Sequence, residues 1–230
     1  MSKLEACGSE QTKKVLMKHG AREPFFGVKV EYLTKISRET GIDHGLALKL
    51  YRTGNSDAMY LAGMICDPRM MNPAILDEWA DQAYWYYLSE YTVPPVAAKS
   101  DHGIECALRW MESDIEHVAA GSWATLSNVI VKRPDINIDT DLLRQLVNKV
   151  TAVIHTSPNR VRYCMNNFII AVGSGVDDLK QLARESAIKT GKVHVDMGGT
   201  ACKVPDALEY MAKTEARLKK NESKKTSKKN

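Results

Sequence analysis

Several common features are scarce in this chain, and each absence excludes something. No apolar run approaches the eighteen residues that a membrane-crossing helix needs, and Met1-Ser2-Lys3-Leu4-Glu5 lacks the apolar stretch of a secretion signal. A soluble, cytoplasmic protein with no membrane partner is expected. The five cysteines, at 7, 66, 106, 164 and 202, are odd in number, widely scattered and include no Cys-x-x-Cys pair. That pattern argues against a disulfide framework or a thiolate zinc site and for reduced, mostly buried thiols. Strand-like alternation is rare, which argues against a sheet. Basic charge is scarce as well, once it is located. Residues 219–230 hold six lysines and one glutamate of the chain's 32 basic and 28 acidic residues, so residues 1–218 carry a net charge of −1. A nucleic-acid site in the body must therefore rest on locally placed basic residues. The lysine-rich end reads as a disordered, solubilising tail, with non-specific phosphate binding as the alternative.

Helix is what remains. Gly, Pro, Asp and Asn punctuate apolar residues at helical spacing from Ser9 to Leu218, giving about a dozen helices in one domain over residues 1–218. Segments starting near 55, 114 and 158 each read as an apolar helix, a break and a second helix. This is the unit of a helical-repeat solenoid, whose concave face suits a polymeric ligand. Residues 192–205 are the one loop-like segment.

Six of the sixteen aromatic residues crowd into the helix expected over Glu78 to Tyr91: Trp79, Tyr84, Trp85, Tyr86, Tyr87 and Tyr91, with carboxylates at Glu78, Asp81 and Glu90. One helix cannot bury so many rings. Two readings stand: core and groove-edge packing, or a platform for nucleobases or cations, which ring faces attract.

Phe25-Phe26-Gly27-Val28, the run from Leu46 to Pro68 with Thr53-Gly54-Asn55, the segment Glu116 to Leu126, and Pro158 to Asn166 followed by Gly191 to Ala207 together resemble the DNA alkylation repair family, the HEAT-like repeat DNA glycosylases of the AlkD type. The resemblance spans roughly residues 10–218. It implies an all-α stack of HEAT-like repeats curved into a solenoid, with double-stranded DNA in its concave groove, acting as a monomer without cofactor or metal. It also implies excision of alkylated purines, in which an aromatic face holds the cationic base and a carboxylate stabilises the charge developing on the sugar. The family's tryptophan falls on Trp85. Its aspartate position falls on Ser89, and its arginine position in Ala119-Ala120, so the chain departs from the pattern at both charged positions. Glu90 is the nearest carboxylate, about 100° further round a helix. These departures favour DNA binding over excision; the alternative is a non-enzymatic scaffold for a protein partner or an unusual DNA structure.

The candidate catalytic positions are thus Trp85, Ser89 and Glu90. The candidate DNA contacts are Trp85, Tyr86, Trp123, Lys132, Arg133, Arg160, Arg162 and Lys203. Arg160 and Arg162 follow Pro158 at a helix start and suit a phosphate clamp, or they pair with Asp177 or Asp178. Lys132-Arg133 is a helix C-cap or a backbone contact. Asn166 and Asn167 read as ties between repeats. His194, Asp196 and Cys202 match no metal spacing and read as a hydrogen-bonded loop; His102 and Cys106 make at most half a site. Deleting residues 219–230 is expected to leave salt-dependent DNA binding, with a slope of log affinity on log salt of about −0.9 per phosphate contacted. Loss of all binding in that titration would put the DNA site in the tail.

Overall fold

The computed structural model describes residues 1–226 apart from Pro134 and Asn137, with side chains described as far as Arg217. Fourteen α-helices and no extended strand occur among the described residues: α1 (Ser2–Cys7), α2 (Glu10–Lys18), α3 (Val30–Thr40), α4 (His44–Tyr51), α5 (Ser56–Ile65), α6 (Pro73–Gln82), α7 (Tyr86–Ser89), α8 (Val93–Lys99), α9 (Gly103–Trp110), α10 (Glu116–Lys132), α11 (Thr140–Val153), α12 (Asn159–Gly175), α13 (Lys180–Thr190) and α14 (Ala207–Thr226).

Local chemistry sets many of the starts. Ser9, Asp43, Asn55, Asn72 and Asp139 each place a side-chain oxygen on a free backbone N–H of the helix that follows, and Pro73 sits in the first turn of α6 where its missing N–H costs nothing. Packing then sets the order. The helices α8, α10, α12 and α14 form one layer of successive neighbours, and α9 and α13 back onto it. The apolar side chains gather into two clusters. One runs from Leu4 to Val118 and the other from Ala107 to Met211, so α9 and α10 belong to both and make the stack continuous. Small residues along α10 allow this. A Cβ on Gly121 would lie 3.2 Å from the carbonyl oxygen of Ser89, which brings α7 onto the helix backbone.

The N-terminal end is tied in by a buried carboxylate. Asp57, 4% exposed, accepts the backbone N–H groups of Phe26 (2.6 Å), Gly27 (2.9 Å) and Val28 (3.2 Å). Gly27 has φ +75°, and a Cβ there would lie 2.7 Å from the backbone of Ser9 and Lys13, so glycine is required for the chain to pass under α2. Tyr51 stacks on Trp79 with ring centroids 4.0 Å apart and donates its hydroxyl to the Trp79 carbonyl at 2.6 Å.

Two expectations change. The single helix expected from Glu78 to Tyr91 is broken: α6 stops at Gln82, and the short turn α7 begins only at Tyr86. No proline or glycine lies in the break. The rings force it, because Tyr84 reaches Arg22, Trp85 reaches Ser56 on α5 and Tyr86 reaches His19, which one straight helix cannot deliver. The terminal helix expected to stop at Leu218 runs to Thr226, into the segment read as a disordered tail. Ala, Glu, Lys and Arg are strong helix formers, and the Glu209–Lys213 pair across one turn supports the start of that helix. Residues 227–230 lie outside the described residues. Asp57→Ala leaves three buried amides without an acceptor and should cost at least about 3 kcal/mol, read from the urea midpoint, with Asp57→Asn costing less because it keeps one acceptor.

Candidate nucleic-acid interface

The residues the sequence singled out converge in part, around an ion pair that links α12 to the turn after α7. Glu90 is 5% exposed. Its two carboxylate oxygens accept from Arg160 Nε at 2.7 Å and Nη2 at 2.6 Å, a two-pronged bridge between residues seventy apart in sequence. The guanidinium lies between two rings, 4.6 Å from the centroid of Tyr86 and 4.4 Å from that of Tyr163. Burial pushes the Glu90 carboxyl up and Arg160 opposes it; Arg160 itself is held more firmly protonated by Glu90, against its own burial. The Tyr86 hydroxyl, pushed up to about 12 mainly by burial, stays protonated and lies 2.6 Å from His19 Nδ1.

The start of α12 is closed in the same way. The N–H of Arg160 donates to Glu116 Oε1 at 2.7 Å, so a carboxylate of the chain itself occupies the positive end of the helix where a phosphate clamp was expected. Asp177 pairs with Lys180 instead of with either arginine. Arg162 is half-buried; its Nη2 makes a 3.5 Å contact with Asn159 and its Nε has no partner. Asn159 also brackets the backbone of Asp196, accepting its N–H at 2.7 Å and donating to its carbonyl at 2.8 Å. Asn166 donates to the Pro205 carbonyl, so loop 192–205 is pinned at both ends to α12.

The other positions fall elsewhere. Trp85 is buried, its indole N–H on Ser56 Oγ at 3.0 Å. Ser89 is buried too, with its hydroxyl directed to the Trp85 carbonyl at 3.3 Å. Trp123 is 1% exposed and packs edge-on against Phe168, 5.1 Å between centroids, so its ring lies in the core and not in the groove where it was expected. The physical reason is the small-residue face of α10, which draws that helix against its neighbours on nearly every side. Ala119 and Ala120 share this burial and leave no room for an arginine. Arg133, the C-cap residue of α10, is held by Asp135 at 2.8 Å and by the Ala98 carbonyl. Lys203 is exposed within loop 192–205.

A groove of 460 Å³ runs along the layer formed by α8, α10, α12 and α14. Tyr91, Asn128, Lys132, Asn167 and Arg217 line it. Lys132 forms no ion pair among the described residues, and its pKa is lowered by burial and by Lys99 nearby. Two neighbouring amines without an acid are a place for an anion.

Comparison with known proteins decides the family. The sequence pattern of the DNA alkylation repair enzyme family matches residues 1–211. The chain belongs to that family. Among its relatives are two uncharacterised proteins, Lmo0209 of Listeria monocytogenes and Lin0241 of Listeria innocua. The first is 33% identical, over 95% of this chain and 96% of that protein, and the second 31%, over 94% and 96%. A solved structure from a family described as related to the HEAT-like repeat DNA glycosylases, with affinity for branched DNA structures, superposes with a TM-score of 0.86 at 34% identity, covering 94% of this chain and 92% of that one. The protein is thus a divergent DNA alkylation repair family member, and its helices form the HEAT-like curved stack of that family.

Arg22, Tyr84, Glu116 and Tyr163 were not singled out as site residues from the sequence. The aromatic stretch was the available signal for Tyr84; nothing marked that Arg160 would reach Glu90. Glu90→Ala strands a largely buried guanidinium and should cost about 3 kcal/mol. In the Glu90→Ala/Arg160→Ala double variant the two losses should sum to at least about 1 kcal/mol more than the observed one, as measured by urea unfolding.

Proposed function

We propose that this protein binds branched DNA along its groove and does not excise alkylated bases. One observation carries the second half. Excision of a cationic purine needs a ring face for the base and a carboxylate open to the sugar. Here the rings of Tyr86 and Tyr163 already hold a cation, the Arg160 guanidinium, and the buried Glu90 carboxylate is paired with it. Ser89 cannot supply a charge, and Ala119-Ala120 supplies no donor. The aromatic and acidic parts of such a site are present but turned on each other.

The binding half is supported by the relative with affinity for branched DNA, 34% identical over nearly the whole chain. It is also supported by Lys132 and Arg217 in the groove, with Lys99 beside Lys132. Duplex DNA would occupy the same groove more weakly, since a single straight helix engages one part of a curved surface while a junction presents arms in several directions. The near-neutral body makes affinity depend on these few cations, and the loss with salt follows a slope set by the few phosphates they contact.

The test pairs a base-release assay on alkylated duplex with titrations of duplex, three-way and four-way junctions at two salt concentrations. Junction binding at least tenfold tighter than duplex, with no release above the spontaneous rate, is expected. Release abolished by Glu90→Gln or Trp85→Ala would overturn the proposal, because it would show that the carboxylate is available to substrate. Equal affinity for all DNAs would overturn the preference for branches.

A further inference from the structure

A second cavity, of 410 Å³, opens beside the groove. Tyr91, 47% exposed, lines both, so the two hollows share one aromatic edge. Tyr84, Tyr86 and Tyr163 supply further rings to the cavity wall. Arg160 lies in the wall as well. Two of its nitrogens are used by Glu90, while Nη1 has only a 3.6 Å contact with the Met197 sulfur and remains a donor.

The outer rim is cationic and held in place. The Tyr84 hydroxyl accepts from the Arg22 N–H at 3.1 Å and donates to the Arg22 carbonyl at 2.9 Å, and the Arg22 guanidinium lies over the same ring at 4.7 Å. Neither Arg22 nor Lys18 forms an ion pair among the described residues. The far rim is loop 196–200, where Gly198, at φ +65°, passes so close to the Lys18 carbonyl that a Cβ would lie 3.3 Å away. Asp196 is the one acid on this rim, and its side chain accepts the Gly198 N–H at 2.9 Å.

We propose that this cavity takes one unpaired nucleotide from the branch point of the bound DNA, its base against the exposed ring of Tyr91 and its phosphate between Lys18 and Arg22. This rests on the branched-DNA reading above and names the part of the branch that is read. The size suits a single small ligand. Ring faces accept any unstacked base, and the free Arg160 donor selects for a base edge that carries acceptors. Paired nucleotides in the groove stay on the far side of Tyr91; only a base already out of its helix passes it without the cost of unpairing.

The full chain is titrated with a three-way junction carrying one unpaired 2-aminopurine at the branch, the same junction fully paired with 2-aminopurine in an arm, and free 2-aminopurine deoxyribonucleoside monophosphate. The unpaired junction should bind at least fivefold tighter than the paired one, with emission from the branch base quenched on binding. Arg22→Ala or Lys18→Ala should erase that advantage. Equal binding of the two junctions with unchanged emission would overturn the nucleotide pocket while leaving branched-DNA binding intact. Binding of neither junction would overturn both. Free mononucleotide bound as tightly as the junction would make this a mononucleotide site and overturn its assignment to a branch.

Discussion

A carboxylate and a guanidinium taken out of water together constrain everything around them, since either left alone would cost several kcal/mol. Glu90 and Arg160 are such a pair. Their separation in sequence means that the turn after α7 and the start of α12 must meet at one distance, and the repeats between them must stack to hold that distance. The rings of Tyr86 and Tyr163 complete the arrangement by covering the flat faces of the guanidinium, where water would otherwise compete. Glu116, on the amide of Arg160, fixes the backbone from the other side.

The same pair decides the chemistry the fold can perform. A HEAT-like stack offers a curved surface, and what happens on that surface depends on the side chains placed there. In this chain Glu90, beside the aromatic cluster, is engaged internally, while Lys132 in the groove and Arg22 at the rim of the neighbouring cavity have no acid partner among the described residues. Charge that could act on a sugar is withdrawn, and charge that can meet a phosphate is left exposed. That division favours recognition of DNA shape over cleavage of a base.

Helix starts were legible because their causes are local. Ser9, Asp43, Asn55, Asn72 and Asp139 cap their helices through side-chain bonds spanning two or three residues, and the loop at 192–205 stands out by its glycines and valines. The break at Ala83–Trp85 was not legible. Nothing in Ala-Tyr-Trp-Tyr-Tyr disfavours helix strongly, and the interruption comes from partners on α2, α5 and the loop between α2 and α3. Trp123 illustrates the same gap: a tryptophan at helical spacing reads alike whether its face meets solvent or Phe168.

The candidate site was therefore half visible. The resemblance implied a departure at Ser89 and Ala119-Ala120, and on that implication it argued against excision. That Arg160 occupies the space between two tyrosines could not be read, because it depends on which faces of α10 and α12 pack together. By itself the sequence determined an all-helical repeat chain, many of its caps and breaks and the scarcity of charge in its body, all of which follow from residue type and spacing within a turn or two. Only the tertiary structure decided that Glu90 is neutralised, that Trp123 is core and that Tyr91 stands between a groove and a pocket, because those facts are contacts between residues tens of positions apart and arise when the helices stack.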